Sequence, residues 1–408
     1  MERDMSDKGS MIPLAEALAK VDETLGPLEL SRERIAVTAA AGRVLVEDVR
    51  SRLDLPAFDK SAMDGYALPD GDERESYRLL ETVAAGSVPT RRLEPGTATR
   101  VMTGAPVPEG TGRVVMQEYT SASDGIVRVQ DTADRSLNIC RKGEDVRVGE
   151  RVLRAPVLLG PLHLANLIGC GVTEIEVARR LRAAVLCTGD EIVEAPEQLG
   201  PGKIMNSNGP LLSALCRCHQ LQVAINRTVP DDFRATVAAL EQAVAEADIV
   251  IVSGGVSVGD CDYVGEALLA AGLIRHFDRV ATKPGKPMTF ASAPGKAVFG
   301  LPGNPVSVYL AFHLYVVRAA GLMTGCRAEA RHIELPLQAP FARRKSERLE
   351  YVPCRVSAEG FLQRVDFHGS AHLLALAEAD GFFVVPRGVT ELGAGEKVSF
   401  MPLKGELK

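Results

Sequence analysis

Asp248-Ile249-Val250-Ile251-Val252-Ser253-Gly254-Gly255 decides the fold. A short apolar run closed by glycines reads as a strand buried on both faces, and such strands belong to parallel sheets covered by helices. The neighbouring sequence repeats the pattern. Ala183–Cys187, Leu221–Ile225 and Lys296–Leu301 read as further strands. Pro210–His219, Phe233–Ala247, Val264–Ala271 and Pro305–Leu322 read as helices, with Asn208 available to cap the first. Phe233–Ala247 is the clearest of these, with Val237, Leu240, Val244 and Ala247 on one face. Strand and helix alternate throughout, which predicts a doubly wound α/β domain.

Outward from that domain the pattern changes. Pro13–Leu25 reads as a helix, with Leu14, Leu18, Val21 and Leu25 at three- and four-residue spacing and Pro13 suited to its first position. From Glu29 to about Arg147, short apolar runs (Arg34–Val37, Val44–Val46, Arg113–Met116, Ile126–Val129) lie between Gly-, Pro- and Asp-rich connections. These predict a β-rich lobe with long loops near Phe58–Tyr66 and Thr103–Gly112. Leu158–Ile168 reads as helical. After Cys326 the runs Leu349–Val356, Phe361–Phe367, Gly381–Val385 and Val398–Met401 predict a small terminal β-barrel or sandwich.

Composition sets the outer bounds. The chain has 408 residues, 47 Lys and Arg against 53 Asp and Glu, and a net charge of −6. That length suggests two to four domains, and 46% hydrophobic with 25% charged residues is globular rather than disordered. An acidic chain is a poor general nucleic-acid binder, since that binding rests on phosphate neutralisation. A local anion pocket remains open to it. No run of about 18 apolar residues suggests a membrane span, and the polar stretch Met1–Ser10 lacks the apolar core of a secretory signal. A cytoplasmic protein with eight scattered, reduced cysteines is expected. Cys216-Arg217-Cys218 is too tight for a CxxC motif, and the histidines have no metal spacing, so no zinc site is expected.

The strand ends carry the chemistry. Thr188-Gly189-Asp190-Glu191, Ser253-Gly254-Gly255-Val256-Ser257-Val258-Gly259-Asp260 and Leu301-Pro302-Gly303-Asn304-Pro305 each follow a strand. Ligands of open α/β sheets sit at these carboxyl ends, so the three loops should converge. Ser253-Gly254-Gly255 lets backbone approach a ligand, and free N–H groups there can form an anion nest. An ordinary glycine turn is the plainer reading. No Gly-Lys-Ser/Thr follows, which excludes a P-loop, and no GxGxxG opens a helix, which disfavours a dinucleotide site. Leu301-Pro302-Gly303-Asn304 fits a type II turn, with Asn304 able to cap the following helix. Lys283-Pro284-Gly285-Lys286-Pro287 has the same turn grammar, and a turn brings its first and fourth residues within about 7 Å. Two such ammonium groups make a site for a dianion, where a solvated hairpin would be the bland alternative. Asp190, Glu191, Asp231, Asp260 and Asp262 accompany them, with Asp59, Asp64 and Asp145 in the other lobe. Lysines facing carboxylates suggest Mg²⁺ bridging a phosphorylated substrate.

Read in order, these pieces are similar to the signature of molybdopterin molybdenumtransferases, the MoeA-type proteins and gephyrin E domains. The resemblance rests on Leu55-Pro56-Ala57-Phe58-Asp59-Lys60-Ser61-Ala62-Met63-Asp64-Gly65-Tyr66-Ala67 and on Met102-Thr103-Gly104-Ala105-Pro106-Val107-Pro108. It extends through Val115-Met116-Gln117-Glu118, Gly143-Glu144-Asp145, Ser207-Asn208 and the loops already quoted, and it spans about Pro13 to the C-terminus. It implies an elongated homodimer of four domains: residues 1–49 with 147–180 as a linking domain, 50–146 as the β-rich lobe, 181–327 as the α/β domain and 328–408 as the β-barrel. The active site would lie between the α/β domain of one subunit and the lobe of its partner. The implied reaction inserts molybdate into adenylylated molybdopterin, with Mg²⁺ as cofactor, and releases AMP.

Residue by residue, the resemblance implies molybdate on Lys283, Lys286, Arg348 and Ser370, the last two in Glu347-Arg348-Leu349 and His368-Gly369-Ser370. It implies molybdopterin on Ser253, Gly254, Gly255, Pro302, Gly303 and Asn304. Asp59, Asp145, Glu191, Asp231 and Asp262 would act on the adenylate side with Thr103, and Asp59 and Asp262 would hold Mg²⁺. The partners expected are small-molecule substrates, a second copy of the chain and, transiently, a molybdopterin adenylyltransferase, with neither nucleic acid nor membrane. Lys60 stands where the family more often has Asn, and Cys187 where Ser is frequent. Two alternatives compete: an ATP-dependent molybdopterin adenylyltransferase, and a gephyrin-like scaffold. The lobe, the lysine pair and the terminal domain argue against the first. The absence of an added N-terminal domain and long linker argues against the second.

Overall fold

A computed structural model describes residues 11–130, 136–255, 264–326 and 331–403. Two compact units divide the chain: Met1–Arg32 with Gly42–Val44 and Ala178–Lys408, and Glu33–Ala41 with Leu45–Val177.

The first unit is built on a six-stranded sheet of β1 (Arg182–Thr188), β2 (Gln222–Val229), β3 (Ile249–Ser253), β4 (Ile274–Arg279), β5 (Pro287–Ala293) and β6 (Lys296–Leu301). The order is β2-β1-β3-β6-β5-β4. β1 pairs in parallel with both β2 and β3, and β3 with β6. Its helices are α1 (Leu14–Thr24), α2 (Asn208–Cys218), α3 (Phe233–Glu246), α4 (Val264–Ala270) and α5 (Pro305–Met323). Alternate residues of each strand point to opposite faces. Ala183, Val185, Cys187, Ile249 and Ile251 therefore join α1, α2 and α5 in one core, while Ala184, Leu186, Val250 and Val252 join α3 and α4 in the other. Asp232 starts α3 by accepting the Ala235 N–H at 2.8 Å. At 19 residues α5 is long and apolar enough to cross a bilayer, but 72% of it is buried in this unit, which makes it a core helix.

Three expectations need correction here. The strand–helix alternation breaks at β4 and β5, which are antiparallel additions to the sheet edge. Ile274–Arg279 is mostly polar and sits at that edge, so no continuous apolar run announces it. The helix Leu14–Thr24 packs Ala17 and Val21 into the α/β core rather than joining residues 147–180. Arg318 of α5 fixes it by two bonds to Asp22, at 2.6 and 2.5 Å. Asn208 lies inside α2, after Ser207, and does not cap it.

The same unit carries a C-terminal sheet of β7 (Ile333–Pro336), β8 (Leu349–Val356), β9 (Leu362–Arg364), β10 (Gly381–Val385) and β11 (Lys397–Pro402). Its order is Thr282–Lys283, β8, β10, β11, β7, with β9 beside β8. Phe341, Phe383 and Phe400 are central to its core. Leu337, just past β7, bridges Leu362 of β9 in parallel, and the Gln338 N–H donates to Leu362 O at 2.9 Å, so among the described residues β8, β10, β11, β7 and β9 connect in a ring. One edge matters most: Thr282–Lys283 pairs in parallel with Leu349 and Glu350, which ties the lysine turn to the C-terminal sheet.

The second unit holds a six-stranded sheet in the order Thr111–Met116, Gly65–Pro69, Thr97–Val101, Ser76–Val83, Ile126–Val129, Thr120–Ser123. The expected Phe58–Tyr66 loop is shorter than its motif: Lys60–Ser61 pairs with Ile139–Cys140, and a strand begins at Gly65. A side chain at Gly65 would meet the Val115 carbonyl at 2.1 Å, so only glycine fits this register. Leu159, Leu167, Val172, Ile175 and Val177 form a separate core around the helix Pro161–Gly169.

Candidate active site

The sheet order places a switch point between β1 and β3, where the chain's connections leave in opposite directions. The strands' carboxyl ends open there into a cavity of about 950 Å³. Its walls take in Thr188–Gly189 after β1, Ser253–Gly255 after β3 and Pro302–Asn304 after β6, as the sequence led us to expect. The C-terminal sheet closes the opposite wall with Arg348, Glu350 and Ser370.

Steric fit explains the glycines. Gly254 and Gly255 adopt φ of +96° and +61°. A Cβ on Gly254 would lie 2.4 Å from the Thr188 carbonyl, and one on Gly255 2.8 Å from Val264. The Gly254 N–H donates to Leu301 O at 3.2 Å, so it is not available to an anion nest. Gly303 lacks the positive φ that a type II turn demands, which corrects that expectation. Asn304 does not cap α5 with its side chain; its amide donates instead to Ser370 Oγ at 2.7 Å.

Asn208 has a role that sequence reasoning missed. Its Nδ2 donates to Ser253 Oγ at 2.9 Å and to Gly303 O at 2.7 Å, so one amide ties the β3 loop to the β6 loop. Asn206 Oδ1 accepts the Gly209 N–H at 2.9 Å and supplies the missing cap of α2. Glu194 accepts the Thr228 hydroxyl and, at 2.8 Å, Asn206 Nδ2, and these bonds, the first above all, hold its carboxyl below the usual carboxylate range. Asn208 Oδ1 and Thr188 Oγ1, both of cavity-lining residues, are buried without a partner. Beneath them, burial pushes the Cys187 thiol up to about 11.

Lys283, Lys286, Arg348 and Ser370 all reach this cavity. Gly285 sits at φ +98°, and Thr282 Oγ1 closes the lysine turn on Gly285 O at 3.1 Å. Arg348 donates to Thr282 O at 3.2 Å. Glu350 was not foreseen. It is 8% exposed and bonds Lys283 Nζ at 2.7 Å and Arg343 Nη1 at 3.1 Å. The signal lay in the spacing: residues two apart on an extended segment share a face, as Arg348 and Glu350 do.

The acids divide between the units. Glu191 and Asp231 line the cavity, and the Asp190 and Asp231 backbones exchange N–H bonds with each other's carboxylates at 3.3 and 3.1 Å. Asp59, Thr103 and Asp145 belong to the second unit. Asp59 accepts the Lys142 N–H on Oδ1 and Arg141 Nη1 on Oδ2, each at 2.7 Å. The Lys142 N–H above all, with the Arg141 bond and charge, outweighs the opposing cost of burial and holds its carboxyl below the usual range. Thr103 donates both its N–H and its hydroxyl to Asp64 Oδ1, at 2.6 and 2.8 Å, so its side chain secures a loop. Asp145 is exposed, and its N–H donates to Leu55 O at 2.9 Å. Asp260 and Asp262 lie outside the described residues. Among the described residues no three His, Cys, Asp or Glu side chains gather as a ready-made metal cage.

Known families cover these regions in turn. The chain matches the MoeA N-terminal region (domain I and II) over residues 12–171, the probable molybdopterin binding domain over 184–320 and the MoeA C-terminal region (domain IV) over 334–403. It is 32% identical over 402 residues to the molybdopterin molybdenumtransferase of Staphylococcus epidermidis, covering 96% of each chain. With the Staphylococcus aureus protein of the same name the identity is 31% over 405 residues, covering 97% of this chain and 96% of that one. The crystal structure of the molybdopterin biosynthesis moeA protein from Pyrococcus horikoshii OT3 superposes with a TM-score of 0.82 at 29% identity, over 96% of this chain and all of that one. A shared architecture from end to end, with identity above 30% over nearly the whole length, means that this chain belongs to the molybdopterin molybdenumtransferase family.

Proposed function

We propose that this chain is the enzyme of molybdenum cofactor biosynthesis that inserts molybdate into adenylyl-molybdopterin and releases AMP. One observation carries the reading: Lys283, Lys286, Arg348 and Ser370 line the same cavity as the Ser253–Gly255 and Pro302–Asn304 loops. A tetrahedral dianion asks for converging cations and directed donors, and the first set supplies both. The glycine-lined loops give a flat heterocycle and its phosphate close access to backbone. Lys283 and Lys286 would neutralise the dianion, Arg348 would add a planar fork, and Ser370, oriented by Asn304, would direct an oxygen.

Mg²⁺ takes oxygen ligands and commonly one or two carboxylates beside substrate phosphates. Glu191 and Asp231 fit that requirement on the cavity wall. Asp59 fits it less well, because the Arg141 cation 2.7 Å from its Oδ2 would repel a divalent ion there. We therefore assign the ion to Glu191 and Asp231, where it would offset phosphate charge, and give Asp59 the task of positioning Arg141. Asp59, Thr103 and Asp145 would be supplied by a second copy of the chain in a homodimer of four-domain subunits. A cytoplasmic setting, with transient receipt of substrate from a molybdopterin adenylyltransferase, completes the reading.

The test is incubation of the purified chain with adenylyl-molybdopterin, molybdate and Mg²⁺. AMP release that depends on molybdate and falls at least tenfold in Lys286→Ala supports the assignment. AMP formation from ATP, or no AMP at all, overturns it.

A further inference from the structure

A second cavity of about 410 Å³ lies in the C-terminal sheet of the first unit. It shares Lys283, Arg348, Glu350, Tyr351 and Phe367 with the large cavity, so these side chains form a common wall. The rest of its lining is strongly basic, with Arg343, Arg344, Lys345 and Arg364 against Glu347. Including the wall, six cations face two carboxylates. In an acidic chain this is a local reversal of sign.

The six cations are not equivalent. Arg343 spends its donors on Val389 O, Arg348 O, Pro386 O and Glu350, so it is a framework group. Lys283 is held by Glu350. Arg364 lies over the Phe341 ring, its guanidinium carbon 5.9 Å from the centroid, and makes no side-chain hydrogen bond or ion pair among the described residues. Arg344 and Lys345 are exposed and make no ion pair among the described residues. Arg348, on the shared wall, has one donor on Thr282 O and others to spare. Glu350 does not cancel the field, because Lys283 and Arg343 both neutralise it.

We propose that this cavity is an anteroom for a small tetrahedral oxyanion. Arg344, Lys345 and Arg364 collect the anion, and Arg348 passes it across the shared wall to the large cavity. The inference rests on the oxyanion chemistry proposed above and adds a separate site to it. At 410 Å³ the space suits a hydrated oxyanion, while the 950 Å³ cavity suits the larger substrate. Clefts lined by one sign of charge raise local counter-ion concentration and on-rate, and this gain fades with salt.

Two measurements test it on the full-length protein. The first is equilibrium dialysis of molybdate, sulfate and phosphate, separately and without pterin, against wild type, Arg344→Ala/Lys345→Ala and Arg364→Ala. We expect two classes of bound molybdate in wild type and loss of one class in the variants. Sulfate or phosphate saturating that class at tenfold lower concentration than molybdate would reassign the cavity to those anions and overturn the proposal. The second is AMP release against molybdate concentration at low and high salt. We expect a five- to tenfold higher molybdate KM at low salt in the double variant, an unchanged kcat and an unchanged pterin KM. Arg344→Lys with Lys345 intact should restore wild-type salt dependence. Wild-type binding classes, or wild-type molybdate KM and salt slope, in both alanine variants would refute the anteroom. If dialysis finds the second class but no AMP forms, the anteroom stands and the proposed reaction fails.

Discussion

Replacing Asn208 by aspartate changes one NH₂ group to oxygen at constant shape. The wild-type amide donates twice from Nδ2, to Ser253 Oγ and Gly303 O. Each such bond contributes about 1 kcal/mol net, and an orphaned buried acceptor costs about 1–3 kcal/mol. Asn208→Ala should therefore lose about 2–3 kcal/mol of loop-to-loop connection. Asn208→Asp loses the same donors, and it also turns a carboxylate toward the Gly303 carbonyl, now only 2.7 Å away, at a residue that is 9% exposed. Ser253 can rotate its hydroxyl to donate, which recovers one bond. The buried charge against a carbonyl outweighs that gain, so the aspartate should cost about 3–5 kcal/mol. Much of this loss should appear as separation of the two loops. A substrate that must rebuild the connection pays about 2 kcal/mol, or roughly a 30-fold rise in pterin KM for the alanine and more for the aspartate. AMP release measured against adenylyl-molybdopterin reads this directly. The molybdate KM, which the proposed function assigns to Lys283, Lys286, Arg348 and Ser370, should stay within about twofold. The reasoning fails if aspartate is the milder substitution, because the amide's volume rather than its donors would then matter.

Other predictions address charge and packing. Asp59→Asn should leave the melting temperature within about 2 °C, since the Arg141 pair is largely exposed, yet abolish AMP release; unchanged release would remove Asp59 from the reaction. Asp248→Asn should cost about 2–4 kcal/mol, because Asp248 accepts from both Arg179 Nη atoms and from the Arg182 N–H at the sheet's amino end. Burial raises the Asp248 carboxyl, but the Arg179 and Arg182 bonds outweigh it and hold it below its ordinary value. Its stabilisation is therefore complete above about pH 4 and lost as pH falls through the folded value, so the variant should show a flatter acid limb in chemical denaturation. Alkylation of the folded chain should mark exposed Cys218 and spare Cys187 and Cys216, whose thiols burial pushes up to about 11 and about 12; rapid labelling of Cys187 would contradict the closed floor of the cavity.

Strands buried on both faces were legible in the sequence because burial imposes an unbroken apolar run. Ile249–Ser253 and Lys296–Leu301 appear nearly where that pattern put them. Ile274–Arg279 did not announce itself, since an edge strand has only one neighbour and keeps polar side chains. The cavity loops were legible for a related reason: Gly and Pro are needed where backbone turns tightly, and here they mark the ends of β3 and β6. What the sequence concealed was side-chain partnership. Asn208 reads as a cap from its position before an apolar stretch, but its amide is drawn to the two loops that the sheet brings beside it. Glu350 and Lys283 are far apart in the chain, and nothing local to either signals that β8 will lie against the lysine turn.

That pairing suits an acidic chain to the anion site proposed above. A dianion site needs cations kept in place more than it needs a positive total. A free lysine carries about 2 kcal/mol of rotamer entropy, which it must surrender on binding. Glu350 has already ordered Lys283, and Arg343 compensates the carboxylate, so the Glu350 cluster keeps one net positive charge. Lys286 makes no ion pair among the described residues, so no neighbouring carboxylate competes with a ligand for it. The two lysines thus divide the work, one fixed by a neighbour and one left to respond. The remaining acids, Glu191 and Asp231, lie on the β1 and β2 side of the cavity, where a phosphate with its cation would sit rather than a bare oxyanion. On the function proposed above, carboxylates in this site would serve anion binding in two ways, by ordering a lysine and by calling in a divalent ion. The −6 balance of the whole chain is consistent with both.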